Sequence, residues 1–485
     1  MIQDTGIVIS PDSARVITRP CLPSDGSRVP RIVSRIMALG ESAAREELRK
    51  TVRDFSGRHH DFEAVLERRY EAVRGYMPAD IVPSRAHRLL IGAYFTGERS
   101  YASTALFNPS IVAHPDQSGL PAGSVRFIMS LRATGEGHIS TLTFRSGIAD
   151  RHGSVSIDES SGFACTAEPR PNVLYDKPCF VRKLYEMGFE NDCSRQCTDT
   201  LPAEFTMEQL QDAVKTYAQG HDPLTQPDRL TCEKIVWLAQ CNYEVNFDPR
   251  VPLSERVLFP ISPSEQNGME DARFVYFRDD DGAEKYYATY TAYDGRVILP
   301  QIMETADFAH FKMITLNGKA AVNKGVALFP RKINGRYAMI SRNDNENIFL
   351  MYSDNIHFWH EAVPIMAPAY PWEFVQIGNC GSPIETERGW LLLTHGVGPL
   401  RQYSIGAALL DRNDPSRVLG RLSEPLIHWK EKSRSGYVPN VVYSCGAIVH
   451  GATLIIPYAL SDQQTTIARV PLREIMDKFA RRQDP

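Results

Sequence analysis

After residue 100 the chain is a succession of short alternating segments, each about one strand long and closed by turn dipeptides. This recurrence limits the fold more than any other feature. "GSVRFIMSL" with "GHISTLTFRSG" forms one set. "ARFVYFRDDDGAEKYYATYTAYDG" reads as a hairpin turning at Asp281-Gly282, and "GVALFPRKINGRYAMISR" as another turning at Asn334-Gly335. "GSPIETERGWLLLTHGV" with "YSIGAALLD", and then "PNVVYSCGAIVHGATLIIPYALSD", complete the series. The count is about five units of roughly forty to seventy residues, each worth three or four strands. No exact repeat is visible, so the spacing fits a β-propeller or a large sandwich. The propeller is preferred, because its inner-strand ends bring polar residues from distant points of the chain to one axis.

The first hundred residues have a different texture. From about 29 to 77 apolar residues recur at helical spacing, as in "DFEAVLERRYEAVRGYM", where Phe62, Val65, Leu66 and Val73 share a face. The charged residues there, with His59 and His60, are expected on a solvated face, and "YMPADIVPSR" ends the pattern. The expected organisation is a helical extension over 1–100, a mainly β catalytic domain over 101–475 and a C-terminal tail over 476–485. A further helix is expected at "EQLQDAVKTYAQ", inside a loop-rich stretch from about 150 to 250. Helical extensions often mediate assembly, so a homo-oligomer is expected.

Composition excludes some partners. At 485 residues, 43% of them hydrophobic, the chain can bury a large core, and its net charge of −4 gives no electrostatic case for nucleic acid. No apolar run approaches the ~18 residues of a membrane helix, and "MIQDTGIVIS" lacks a basic and apolar leader. A cytoplasmic protein without a membrane partner is expected. Nine cysteines, irregularly spaced, read as reduced thiols. Cys193 and Cys197 can share a helix face but lack nearby ligand partners, so no metal site is expected.

The chemistry concentrates at strand ends. "QNGMEDARFVYF" places Glu270 and Asp271 at the entry of a strand with Arg273 two residues on. Burial there would raise a carboxyl pKa and suit it to general-acid work; the alternative is a turn acid paired with Arg273. Asn108 and Ser110, Arg132, Arg342 and Asn343, His395, Asn440 and Asp462 all stand at strand termini in successive units. Singly each has a structural explanation. Together they suggest one polar pocket for a hydroxyl-rich ligand, with Trp359, Trp372 and Tyr403 available to stack on sugar faces.

From about residue 100 to 475 the sequence resembles glycoside hydrolase family 130, the β-mannoside phosphorylases and β-1,2-mannosidases. The strings that carry the resemblance are "LFNPSIV", "GMEDARF", "LFPRKINGRYAMISR", "YSDNIHFW", "GSPIETERGWLLLTHGVG", "GAALLD" and "VPNVVYSCG". The resemblance implies a five-bladed β-propeller with an axial site and Asp271 as proton donor. It also implies inversion at the anomeric carbon, the proton passing through a substrate hydroxyl. Asn108, Ser110, Arg132 and Asp462 fall where the family holds mannose, and Arg273 and Asn440 are placed with them.

On the side of the incoming nucleophile stand Arg342, Asn343, Gln376 and His395. Arg342 and His395 match the phosphate-holding pattern. Gln376 replaces a lysine, and Glu361, in "HEAVP", stands where phosphorylases tend to be basic; a small slip in alignment would put His360 there instead. Fewer cations and an added carboxylate favour water over phosphate. The expectation is therefore an inverting β-mannosidase, β-1,2-mannosidase-like, with Asp271 as acid and Glu361 as base. The alternatives are a phosphorylase that takes inorganic phosphate as co-substrate and releases mannose 1-phosphate, and a non-catalytic sugar-binding propeller. The expected partner is a β-linked manno-oligosaccharide, with no cofactor and no metal.

Overall fold

The computed structural model describes residues 2–78, 80–171, 173–428 and 434–480. Its β-structure is built from antiparallel meanders that follow one another along the chain. The first runs through Ala105–Ala113, Val125–Thr134 and Ser140–Ala149, and the second through Gly268–Arg278, Glu284–Tyr293, Ile298–Thr305 and His310–Thr315. A single parallel bridge, Gly268 to Ser140, joins them into one sheet. The third unit spans residues 327 to 366, the fourth 376 to 428, and the fifth 442 to 471. The two turn dipeptides behave as their sequence requires. Asn334 and Gly335 both take positive φ (51° and 76°), the type I′ geometry that matches strand twist, and Gly282 closes the earlier hairpin at φ 83°.

Alternation along each strand gives every unit two apolar faces, and each face meets a neighbour. Phe144 of the first unit packs with Phe274 of the second, and Phe277 of the second shares a core with Met339 of the third. Phe329 and Ile340 of the third meet Trp390 and Leu392 of the fourth. Leu391 and Ile405 of the fourth meet Leu454 and Ile456 of the fifth. Ile455 and Ile467 of the fifth return to Phe127 and Met129 of the first. The chain of cores thus comes back to its beginning. Trp359, considered as a sugar-stacking residue, is fully buried in one of these cores and donates its indole N–H to Ile356 O at 2.8 Å, so it serves packing.

The termini differ from the sequence expectation. Among the described residues, 1–100 hold the α-helices Arg28–Met37, Glu41–Phe55, Phe62–Val73 and Arg85–Tyr94, but also strands on either side of them. Gln3–Ile9 pairs antiparallel with Gln464–Pro471 and so completes the fifth unit's sheet. Val16–Pro20 pairs with Thr96–Ser100, and Ile17 enters the core shared by the first and fifth units. His60 is exposed, as expected, but His59 is not on a solvated face. His59 is buried and lies 2.7 Å from Glu98, and His60 reaches Glu255 at 2.8 Å, so a carboxylate holds each ring.

At the other end, Leu472–Ala480 is a helix whose Ile475, Met476 and Phe479 pack into the core between the fourth and fifth units. An amphipathic helix therefore straddles the boundary expected at 475, and the last five residues of the expected tail lie outside the described residues. The stretch from 150 to 250 is also more helical than its loop-rich texture suggested. Lys177–Glu186, Asp192–Asp199, Met207–Gly220 and Gln226–Gln240 close around their own core, and the third of these covers the helix expected there. Among the described residues no helix is long and apolar enough to cross a membrane.

Because Ile17 is 1% exposed in a core built mainly from the first and last units, Ile17→Ala should cost about 2–5 kcal/mol. A lowered thermal midpoint checks this; an unchanged midpoint would mean that the N-terminal ribbon contributes nothing to that core.

Candidate functional site

The two strands that carry the key polar residues are both irregular at the same point. The pairing of Ala105–Ala113 slips between Phe107 and Ser110, and that of Gly268–Arg278 slips between Glu270 and Arg273. The extra residues, Asn108 and Asp271, take φ of 48° and 54°. A bulge turns a side chain out of the alternation of its strand, and a non-glycine residue in the left-handed region persists only where its surroundings hold it. Here they hold each other: Asn108 Nδ2 donates to Asp271 Oδ1 at 2.7 Å. Asn440 and Asp462 share the same backbone region, at φ 65° and 49°.

Arg132 binds both neighbouring acids. Its Nη2 donates to Glu270 Oε1 at 2.7 Å, its Nη1 to Asp271 Oδ1 at 3.1 Å, and its Nε to Ser140 Oγ at 2.8 Å. Lys324 Nζ takes the other Glu270 oxygen at 2.8 Å. Burial alone would raise the Asp271 carboxyl, as the sequence suggested. Arg132 and Arg273, then the Asn108 hydrogen bond and Lys324, outweigh it, and the net shift is downward. The carboxyl that is raised is Asp462, pushed up to about 7 by burial and by Asp271, against the opposing pull of Arg132.

A second group of contacts joins the remaining units. Arg273 Nη2 donates to Tyr443 Oη at 2.7 Å, and the Tyr443 ring lies 4.9 Å from that of His395. His395 Nδ1 meets the Asn379 carbonyl at 3.2 Å, which fixes the proton on Nδ1 and leaves Nε2 as an acceptor. That acceptor faces Arg342 Nη1 at 3.4 Å. Burial, then Arg342 and Arg273, hold the His395 pKa well below its usual value, so the ring is neutral and orients Arg342. Gly325, at φ 86°, closes the floor: a Cβ there would lie 3.6 Å from Asn379 Oδ1 and 3.9 Å from both Arg273 Nη2 and Arg342 Cβ. These are ordinary contact distances, so it is the positive φ that favours glycine at this position.

The cluster is polar, buried and incompletely paired. Asn108 Oδ1, Arg273 Nε, Arg342 Nε and Asn379 Oδ1 are all buried without a hydrogen-bond partner among the described residues. Buried polar groups are normally satisfied, so four orphans in one network point to a ligand with many hydroxyl or oxyanion groups.

The structure thus brings together Asn108, Arg132, Asp271 and Arg273, with Arg342 and His395, and couples Asp462 to them electrostatically. Ser110 lies beside them but faces inward, with no exposed surface, and its Oγ accepts the Phe274 N–H at 2.9 Å, so it ties the first unit to the second. Asn343 is held by Ser341 Oγ at 2.5 Å and itself donates to Ala320 O at 2.9 Å. Asn440 accepts Tyr403 N–H through its carbonyl, and the Tyr403 ring stacks 5.9 Å from His395. Gln376 pairs at the edge of its strand with Val397 and is half-buried.

Glu361 is not brought to the cluster. It is exposed and makes no hydrogen bond or ion pair among the described residues. The segment following Trp359 is drawn toward the helical insertion, where Arg182 contacts His360 and covers Phe358 at 3.8 Å. That outward pull removes the base carboxylate on which the hydrolytic expectation rested.

Sequence reasoning passed over Lys324, Asn379 and Tyr443 as site residues. Their signals were present in "NKGVALF", "QIGNCG" and "VVYSCG", each a polar residue at the edge of an apolar run. It also missed Cys232, whose thiol lies within 4.8 Å of Cys193 and Cys197 in the core of the helical insertion. Burial raises the Cys193 and Cys197 thiols, the latter to about 12.

The chain belongs to glycoside hydrolase family 130: residues 233–481 match the family's sequence profile, described as beta-1,4-mannooligosaccharide phosphorylase. The match starts after Asn108 and Arg132, which enter the site through their hydrogen bonds to Asp271. A 1,2-beta-oligomannan phosphorylase of Thermoanaerobacter sp. (strain X514) is 34% identical over 234 residues, 46% of this chain and 75% of its own. A beta-1,2-mannobiose phosphorylase from the same organism is 35% identical over 255 residues, 50% of this chain and 80% of its own. The solved beta-1,2-mannobiose phosphorylase of Listeria innocua aligns over 78% of this chain and 92% of its own, with 22% identity and a TM-score of 0.46.

Two outcomes are expected. Arg132→Met leaves Glu270 and Asp271 side by side without their guanidinium and should cost about 3–5 kcal/mol, part of it recovered by adding Glu270→Gln; denaturation of the single and double variants checks this. Asp462, with its folded-state pKa raised to about 7, contributes stability at low pH that is lost as pH rises through about 7. Asp462→Asn should therefore raise the thermal midpoint over the wild type at pH 8 and not at pH 4, and an equal gain at both would contradict the raised carboxyl.

Proposed function

We propose that this chain is an inverting β-mannoside phosphorylase that cleaves β-1,2-mannosides with inorganic phosphate and releases mannose 1-phosphate. The observation that carries the reading is the charge of the cluster. Arg132, Arg273 and Lys324 act on Glu270 and Asp271 and Arg342 stands beside His395, while burial keeps Asp462 largely protonated below about pH 7 and His395 neutral. The surplus is two positive charges, which a phosphate dianion would neutralise. Inverting hydrolysis instead requires a second carboxylate as base, and Glu361 is exposed. The names of the curated relatives, three of them β-1,2-linked phosphorylases, support the same choice.

In this reading Arg342, oriented by His395, and Arg273 hold phosphate on the side of the sugar away from the leaving group. Asn108, Arg132 and Asp462 hold the mannose ring. Asp271, whose resting charge Arg132 stabilises, takes up a proton as dihydrogen phosphate binds as the dianion, and passes it on through a sugar hydroxyl. Phosphate oxygen forms the new bond at the anomeric carbon while the glycosidic bond breaks, and the proton goes to the departing oxygen. The scaffold is read as a five-bladed β-propeller, with residues 101–475 as its catalytic domain. The ring of inter-unit cores and the meeting of residues from all five units support this.

The test is incubation of the purified protein with β-1,2-mannobiose, and separately β-1,4-mannobiose, with and without inorganic phosphate, followed by phosphorus NMR. The expected result is phosphate-dependent α-mannose 1-phosphate, one per mannose released, faster from the β-1,2 substrate, with turnover falling about 10²–10⁴-fold in Asp271→Asn. Two mannoses per disaccharide irrespective of phosphate would establish hydrolysis instead.

A further inference from the structure

A second set of cations lies outside this cluster, on the ribbon formed by Val16–Pro20 and Thr96–Ser100. Ile17 pairs with Arg99 and Arg19 with Gly97, so residues 17, 19, 97 and 99 share one face and Arg19 and Arg99 are diagonal neighbours on it. Both guanidiniums reach the Phe259 ring, at 4.2 and 6.0 Å from its centroid. Glu98 points to the opposite face, where Arg58 and His59 take its carboxylate. Arg69, from the helix Phe62–Val73, lies near enough to Arg19 for their charges to repel, and its Nε is buried without a partner. Burial, then the charges of Arg99 and Arg69, hold the Arg19 pKa below its ordinary value.

Among the described residues none of Arg19, Arg69 and Arg99 forms an ion pair or a side-chain hydrogen bond. Like charges on one ribbon face are destabilising, and a chain of net charge −4 has carboxylates to spare. Their concentration without a counter-charge fits an anion supplied from outside. Arg19 and Arg99 open into a cleft of about 710 Å³. The charged pair farther along it, Arg170 and Glu244, is already joined at 3.0 Å. Arg19 also lines the neighbouring cleft with Arg68 and Arg69, where Glu168 makes no ion pair with them.

The first cleft is far larger than an inorganic anion needs, and the exposed Gln240 and Gln266 on its walls offer amide groups. Ile139 and Gln266, also on its walls, lead in the chain to Ser140 and to the strand of Asp271. We propose that Arg19, Arg69 and Arg99 form a subsite for a phosphate monoester carried on a sugar. The guanidiniums bind its oxyanion in bidentate fashion, and the polar walls of the cleft bind the sugar hydroxyls.

The subsite does not depend on which nucleophile the enzyme uses, because its test is binding. Mannose 6-phosphate, mannose and inorganic phosphate are titrated calorimetrically into wild type and into the double variant Arg19→Gln, Arg99→Gln. Mannose 6-phosphate is expected to bind wild type at least tenfold more tightly than either of the other two. The double variant should bind it at least tenfold more weakly, with mannoside turnover unchanged and thermal midpoint equal or higher as the repulsion is removed. If the double variant fails to fold, Arg69→Gln alone should weaken binding severalfold. Equal binding in wild type and variant, or no binding of mannose 6-phosphate, overturns the subsite. Inorganic phosphate binding as tightly as the sugar phosphate overturns the choice of ligand.

Discussion

The site depends on one buried guanidinium. Glu270 and Asp271 are consecutive, and two carboxylates so close cannot both stay ionised in a desolvated pocket without a cation between them. Arg132 supplies it, from the neighbouring unit, at 2.7 and 3.1 Å. This contact ties the first unit to the second, keeps Asp271 anionic at rest, and sets the field that Asp462 feels. Buried charge of this kind is costly in itself, so its retention fits a functional site better than a stabilising device.

Strain and charge are arranged together. The left-handed residues Asn108 and Asp271 occupy bulges in strands from different units and meet through one hydrogen bond of 2.7 Å. Each bulge turns a residue out of the strand's alternation toward the other strand. Behind them, Ser110 on the Phe274 N–H and Tyr443 on Arg273 hold the two strands and the last unit in register. Around this rigid polar centre, the apolar cores between units supply the burial that makes each charge count.

Much of the scaffold was legible in the sequence because alternation and turn chemistry are local. The hairpins at Asp281-Gly282 and Asn334-Gly335 follow from two residues each. The polar strand ends were also legible, and their recurrence pointed to one pocket. What local pattern could not supply was direction. Glu361 and Asp271 are both acids beside strands, yet one is exposed and the other mostly covered, because the segment after Trp359 is drawn toward Arg182 and its helix. The same limit misplaced His59, which is buried against Glu98 of a later strand.

The sequence by itself determined the β-rich units, their turns, the helical stretches and the family to which the chain belongs, since these rest on short-range periodicity and on strings of adjacent residues. Tertiary structure alone decided which carboxyl is raised and which is lowered, because a pKa reflects burial and charges brought from other units. It also decided that the first strand completes the last sheet, since the choice of pairing partner depends on which edge remains open after the chain has come round.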